Sequence, residues 1–181
     1  QLDIVASGSQ KGYMIPPGLS FISVSQKAWE AAEKSNLPKF YLNLKSYRKS
    51  LSSNSNPYTP AVNLVFALNE SLKMMREEGL DNIFLRHEKH KLAMSNAVKA
   101  LNLKLFADER YLSPAVTAIQ TGEIDAEEFR KTIKNKFDIL IAGGQDHLKG
   151  KIFRVGHLGY VNDRDIITVV SAISKTLLDQ G

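Results

Sequence analysis

Lys11 is the first residue in the chain with the setting for covalent carbonyl chemistry. It lies in Ser7-Gly8-Ser9-Gln10-Lys11-Gly12, between two short apolar runs, Leu2 to Ala6 and Leu19 to Ser25. A glycine-bracketed loop at a strand end holds a side chain at the rim of a sheet, where pockets form. There a desolvated lysine has a lowered pKa and acts as a nucleophile toward carbonyl carbon. A solvated loop lysine is the alternative, since most lysines are exposed. Arg154 stands in Lys151-Ile152-Phe153-Arg154-Val155, where alternation puts it on one face with Ile152 and opposite Phe153 and Val155. A guanidinium on an apolar strand needs an anion, either a bound carboxylate in its planar fork or an acid of its own chain. Thr59 and Tyr58 precede an apolar helical pattern. Thr59 can cap that helix, or its hydroxyl and the helix N-terminus can meet a phosphate.

Other constellations carry less. His87 and His90 sit three apart in Arg86-His87-Glu88-Lys89-His90-Lys91, a charged run that reads as a solvated helix face rather than a metal site. His147 and His157 have no serine or cysteine partner by motif, so no hydrolase triad is indicated. The Lys11 loop lacks the spacing of a phosphate-binding Walker loop, and no GxGxxG is present. The chain has no cysteine, hence no disulfide framework and no thiolate metal site of its own.

These residues need elements to position them. Apolar runs at 2–6 and 19–25 predict two strands, and Ser25 predicts the cap of a helix over 26–34. Residues 50–60 read as a polar loop. Thr59 and Pro60 then open a helix to about Glu78, with Val62, Val65, Phe66, Leu72 and Met75 near helical spacing and Gly79 as its stop. A second long helix follows from Asp81 to Leu101, with Ile83, Phe84, Leu92 and Val98 as its apolar side. Strands are expected at 103–106, 115–119, 138–142 and 151–155. Helices are expected after Asp125, paired with Glu128 as a capping box, and after Asn162. The fold class is α/β, strands alternating with helices that cover a small sheet. A boundary near residue 80 separates 1–80, the tail of a larger domain, from 81–181, a small α/β domain.

Composition sets outer limits. Of 181 residues, 43% are hydrophobic and 24% charged, a globular balance, and the +5 net charge is spread without a basic block, so no nucleic-acid role is indicated. No apolar run has the length of a membrane span, and no signal peptide is visible, so a cytoplasmic protein is expected. The chain opens without Met and enters a strand almost at once, so a fragment is expected.

Ser7 to Gly12, followed by Pro16-Pro17-Gly18 and Phe21-Ile22-Ser23-Val24-Ser25, resembles the lysine motif of class V aminotransferases of the alanine-glyoxylate and serine-glyoxylate type. Asn56-Pro57-Tyr58-Thr59-Pro60, Asn69-Glu70-Ser71-Leu72 and Gly150 to Gly159 resemble later landmarks of that family, in order. The resemblance implies the C-terminal half of a fold-type I enzyme dependent on pyridoxal 5'-phosphate. It implies Lys11 as the residue bonded to the cofactor, its freed amine moving a proton between the substrate α-carbon and the cofactor. It implies Arg154 on the substrate α-carboxylate, and Thr59, with Tyr58, on the cofactor phosphate of the neighbouring subunit in a homodimer. Amino-acid and 2-oxo-acid substrates follow. In the family a preceding N-terminal segment supplies the phosphate turn, the acid facing the pyridine nitrogen and the stacking aromatic. These 181 residues are therefore expected to be inactive unless a second polypeptide completes the site. Desulfuration and aminoethylphosphonate transamination run on the same fold, though desulfurases use a mobile cysteine. Some relatives carry the label of a soluble hydrogenase subunit, but this chain offers no thiolate to a redox centre. A non-catalytic assembly domain is the alternative of a different class.

Overall fold

The computed structural model describes residues 2–180, so Gln1 and Gly181, the outer bounds of the two expected domains, lie outside the described residues. The chain divides into two compact units, residues 1–74 and 75–181, the division falling inside one long helix.

The first unit opens with an antiparallel hairpin, β1 (Ile4–Gly8) and β2 (Ser20–Val24), registered from Ile4 opposite Val24 to Gly8 opposite Ser20. Ser25 caps α1 (Gln26–Lys34) as expected, its hydroxyl accepting from the Ala28 amide at 3.1 Å. α2 (Leu44–Leu51) was not foreseen and takes up the first two residues of the expected polar loop at 50–60. Asn43 caps it, a signal the local sequence carries. α3 (Val62–Glu78) starts later than Thr59 and Pro60 suggest. The Ala61 carbonyl accepts the first helical bond, from the Val65 amide at 3.1 Å. Thr59 therefore does not cap this helix. Val62 is the first helical residue, two positions beyond Pro60, and no amide among the described residues donates to the Thr59 hydroxyl. Only Ser71 of α3 is buried, while Val62, Val65, Phe66 and Leu72 are exposed, so its apolar stripe is uncovered within this chain.

The second unit has a core of its own. α4 (Leu80–Ala100) leads to an antiparallel sheet in the order β3-β4-β6-β5, formed by β3 (Lys104–Leu105), β4 (Val116–Gln120), β6 (Ile152–Gly156) and β5 (Ala142–Gly143). α5 (Ala126–Phe137) lies between β4 and β5 in the chain, and α6 (Asp163–Gln180) closes it. α4 and α5 pack on the sheet, and α6 packs on both. Met94, Val98, Ile119, Phe129, Ile133, Phe153, Val155, Val169 and Ile173 form the core. Phe153 is fully buried and stacks on Phe129 at 5.2 Å between ring centroids. Phe153→Ala is expected to cost about 3–5 kcal/mol, read as a lowered urea midpoint.

Caps explain two helix starts. Asp125 Oδ1 accepts from the Glu127 and Glu128 amides, but Glu128 turns to Lys131, leaving only half of the expected capping box. Asn162 and Asp165 form a reciprocal box at α6: Asn162 Oδ1 accepts from the Arg164 amide, and Asp165 Oδ2 from the Asn162 amide. The strand expected at 138–142 shrinks to Ala142–Gly143, because α5 runs on to Phe137 and Asp138 takes a left-handed C-cap at φ 55°.

The expected solvated face of α4 is a correction as well. Phe84 and Leu92 are exposed, whereas His90 is buried with Ile83, Met94 and Val98. His90 Nε2 meets Asp163 Oδ1 at 3.2 Å, and His87 Nδ1 lies 2.7 Å from the Ile83 carbonyl. The Gly159 amide donates to His87 Nε2 at 3.1 Å. Arg86 donates to the Gly159 and Val161 carbonyls and is paired with Glu78, which it holds below the usual carboxylate range. The charged run thus clasps the loop after β6. His157 in that loop is fully buried, between the Pro114 carbonyl at 3.1 Å and Thr117 Oγ1 at 2.8 Å. Burial pushes its pKa below the ordinary 6.5. The unfolded chain therefore binds the proton first, and the stability that neutral His157 contributes is lost as pH falls from 6.5 through its folded pKa. The urea midpoint is expected to decline less steeply over that range in His157→Gln than in the parent.

Candidate active site

Lys11, Tyr58 and Thr59 belong to the first unit and Arg154 to the second. Lys11 is exposed in the loop joining β1 to β2. That loop is pinned by Ser9, a fully buried residue two positions upstream that sequence reasoning missed. Ser9 Oγ donates to the Pro16 carbonyl at 2.8 Å and accepts from the Leu19 amide at 3.2 Å, while its own amide donates to the Leu19 carbonyl at 3.1 Å. The Met14 amide closes a turn onto the Lys11 carbonyl at 3.0 Å. Ser71 Oγ of α3 donates to the Tyr13 carbonyl at 2.5 Å, and Tyr13 packs on Phe21 at 4.5 Å. The loop is thus fixed on both sides of Lys11 while the amine stays accessible. A serine between two glycines was the only local signal, and it is also an ordinary loop residue. Ser9→Ala leaves a carbonyl and an amide without their partner, at about 1–2 kcal/mol. Faster amide exchange at Leu19 is its expected sign.

Tyr58 is half-buried and Thr59 exposed. The Tyr58 hydroxyl donates to the Phe40 carbonyl at 3.4 Å, and its ring packs on Tyr41 at 4.6 Å and near Tyr47 at 6.2 Å. Tyr41, Asn56, Tyr58 and Thr59 line one open groove. Among the described residues no hydrogen bond joins Lys11 to Tyr58 or Thr59.

Arg154 is half-buried on the central strand β6, not at a sheet edge. It faces away from the core, as alternation required, because Phe153 and Val155 on either side point into it. Its cross-strand neighbours are Ala118 on β4 and Ala142 on β5, two methyl groups that leave room beside the guanidinium. Arg154 Nε donates to the Gly143 carbonyl at 2.9 Å, and no carboxylate of the chain pairs with it among the described residues. Of the two sequence alternatives, the intrachain acid is thus not the one taken. The two Nη groups form the planar fork that binds carboxylates with two parallel bonds. Among the described residues no cluster of histidine and acidic side chains is suited to a metal ion. No helix there is long and apolar enough to cross a membrane.

The chain belongs to the class V aminotransferase family, whose model it matches over residues 1–149. It is 57% identical over 180 residues to the soluble hydrogenase 42 kDa subunit of Anabaena cylindrica, covering 99% of this chain and 47% of that protein. It is 35% identical to the serine–glyoxylate aminotransferase of Methylorubrum extorquens, over all of this chain and 47% of the relative. Among solved structures, ureidoglycine–glyoxylate aminotransferase of Bacillus subtilis superposes with a TM-score of 0.90 at 31% identity, over 98% of this chain and 47% of the other. The chain spans about half the length of the curated relatives it matches.

Proposed function

We propose that the complete protein transfers an amino group from alanine or serine to glyoxylate or a similar 2-oxo acid, with pyridoxal 5'-phosphate as cofactor. The observation that carries this reading is Arg154: a half-buried guanidinium, flanked by alanines, its Nε tied to Gly143 and no acid paired with it among the described residues. The residues present fit the cofactor's reactive end, since Lys11 offers an accessible amine on a loop fixed by Ser9. When bound, pyridoxal phosphate withdraws electrons from the substrate α-carbon. Arg154 binds the α-carboxylate through its planar fork and so orients the α-hydrogen. The Lys11 amine takes the proton from the substrate α-carbon and passes it to the cofactor rather than back to the α-carbon. Tyr58 and Thr59 contribute hydroxyls to the phosphate of the neighbouring subunit's cofactor in a homodimer. The exposed apolar stripe of α3 supports an assembly larger than this chain.

The test is glycine formation from glyoxylate by the complete protein, with alanine or serine as donor and pyridoxal phosphate added. Turnover that requires both the donor and the cofactor is expected. The reading is overturned if no α-amino acid supports transfer, or if the protein takes up no visible absorbance from the cofactor. The second outcome favours a non-catalytic assembly domain.

A further inference from the structure

We propose that Glu127 and Arg130 of α5 are positioning residues for Arg154, acting through the backbone of β5. The inference rests on the reading of Arg154 as the carboxylate-binding residue. A guanidinium presents its two Nη groups in one plane, so whatever holds Nε sets the direction of the fork. Here Nε is held by the Gly143 carbonyl, its one acceptor among the described residues. That carbonyl sits on a two-residue strand at the sheet edge, paired among the described residues with β6 alone. Such a strand has little pairing of its own to fix it.

The second support comes from α5. Arg130 Nε donates to the Ile141 carbonyl at 2.8 Å, just before β5, and Arg130 Nη1 pairs with Glu127 Oε2 at 2.7 Å. Both side chains are about a quarter to a third exposed, so the pair is partly shielded from water. The pair lies directly over Gly143: a Cβ there would come within 2.5 Å of Glu127 Oε1 and 2.6 Å of Arg130 Nη1. Glycine at 143 lets the ion pair close onto the strand from the core side, while its carbonyl receives Arg154. The chain of contacts runs from Glu127 to Arg130, to the backbone at Ile141, along β5 to Gly143, and so to Arg154. It reaches no substrate atom except through Arg154.

Two variants test this. Arg130→Gln removes the charge and the Nε contact. Gly143→Ala keeps every charged group and displaces the ends of two flexible side chains. In the complete protein with pyridoxal phosphate, each is expected to raise KM for alanine about ten-fold with kcat within about two-fold, a loss of carboxylate binding rather than of chemistry. Arg130→Gln added to Arg154→Ala is expected to have no further effect on KM, since both act on one interaction. An independent readout is the Arg154 Nε–H proton signal by NMR on the complete protein. It is expected to exchange slowly in the parent and rapidly in both variants. Unchanged exchange and unchanged KM in both variants overturn the proposal. A fully additive double variant overturns it too. If Arg154→Ala itself leaves KM for alanine unchanged, the carboxylate reading fails, whereas the NMR comparison still decides whether α5 holds Arg154.

Discussion

Lys11→Ala in the complete protein is expected to lower amino transfer by roughly 10²–10⁴-fold, the range lost when a positioned proton-transfer group is removed. It is also expected to abolish the pyridoxal adduct that borohydride fixes to the protein. The two effects have one cause. Lys11 is the residue proposed both to bond the cofactor and to move the α-proton, and Ser9 holds its loop from the buried side. Peptide mapping of the reduced protein distinguishes this from adventitious labelling. Mass added at Lys11 in the parent and absent from the variant supports the assignment. Mass spread over exposed lysines in both proteins removes it. Lys11→Ala should leave the unfolding free energy from a urea curve within about 0.5 kcal/mol of the parent, because an exposed side chain away from the core contributes little to stability.

The second large effect is at Arg154. Truncating one partner of a buried charge-assisted pair costs about 2–5 kcal/mol, or roughly 30-fold to several thousand-fold in kcat/KM. Arg154→Ala is expected to show that loss mainly as a raised KM for the amino donor, with less change in kcat. Arg154→Lys should recover only part of it, since an ammonium lacks the planar fork that meets a carboxylate with two parallel bonds. Steady-state kinetics with alanine as varied substrate give the comparison. Equal KM values in the parent and both variants would mean that the carboxylate is bound elsewhere. The fold should withstand Arg154→Ala, because the side chain faces away from the core and the flanking Phe153 and Val155 are untouched.

Comparison of the two units shows where the residues alone suffice. The caps at Ser25 and Asn162 and the C-terminal stop at Gly79 act within one turn of chain, so each is legible from a few neighbouring letters. The outward placement of Arg154 follows from period-two alternation in β6, again a local rule. The expectations that failed depend on distant partners. The charged run around His87 and His90 has the composition of a solvated face, and Glu88 and Lys89 are exposed, yet Arg86, His87 and His90 are turned inward by contacts with residues more than 70 positions away. Phe84 and Leu92 have the composition of a core face and are left outside. Thr59 does not act as a cap, because the helix begins two residues beyond Pro60, at Val62.

The sequence by itself determined the family, the glycine-bracketed lysine loop, the strand that carries the arginine and most helix ends. These are set by residue type and short-range geometry. Only the tertiary structure decided that Ser9 pins the Lys11 loop and that Gly143 lies beneath the Glu127–Arg130 pair and accepts from Arg154. It alone decided that Arg86 and His87 of α4 clasp the loop beyond β6. Each of these is a hydrogen bond or close approach between groups separated along the chain. Their partners are chosen by the packing of whole elements, a quantity no local window of residues contains.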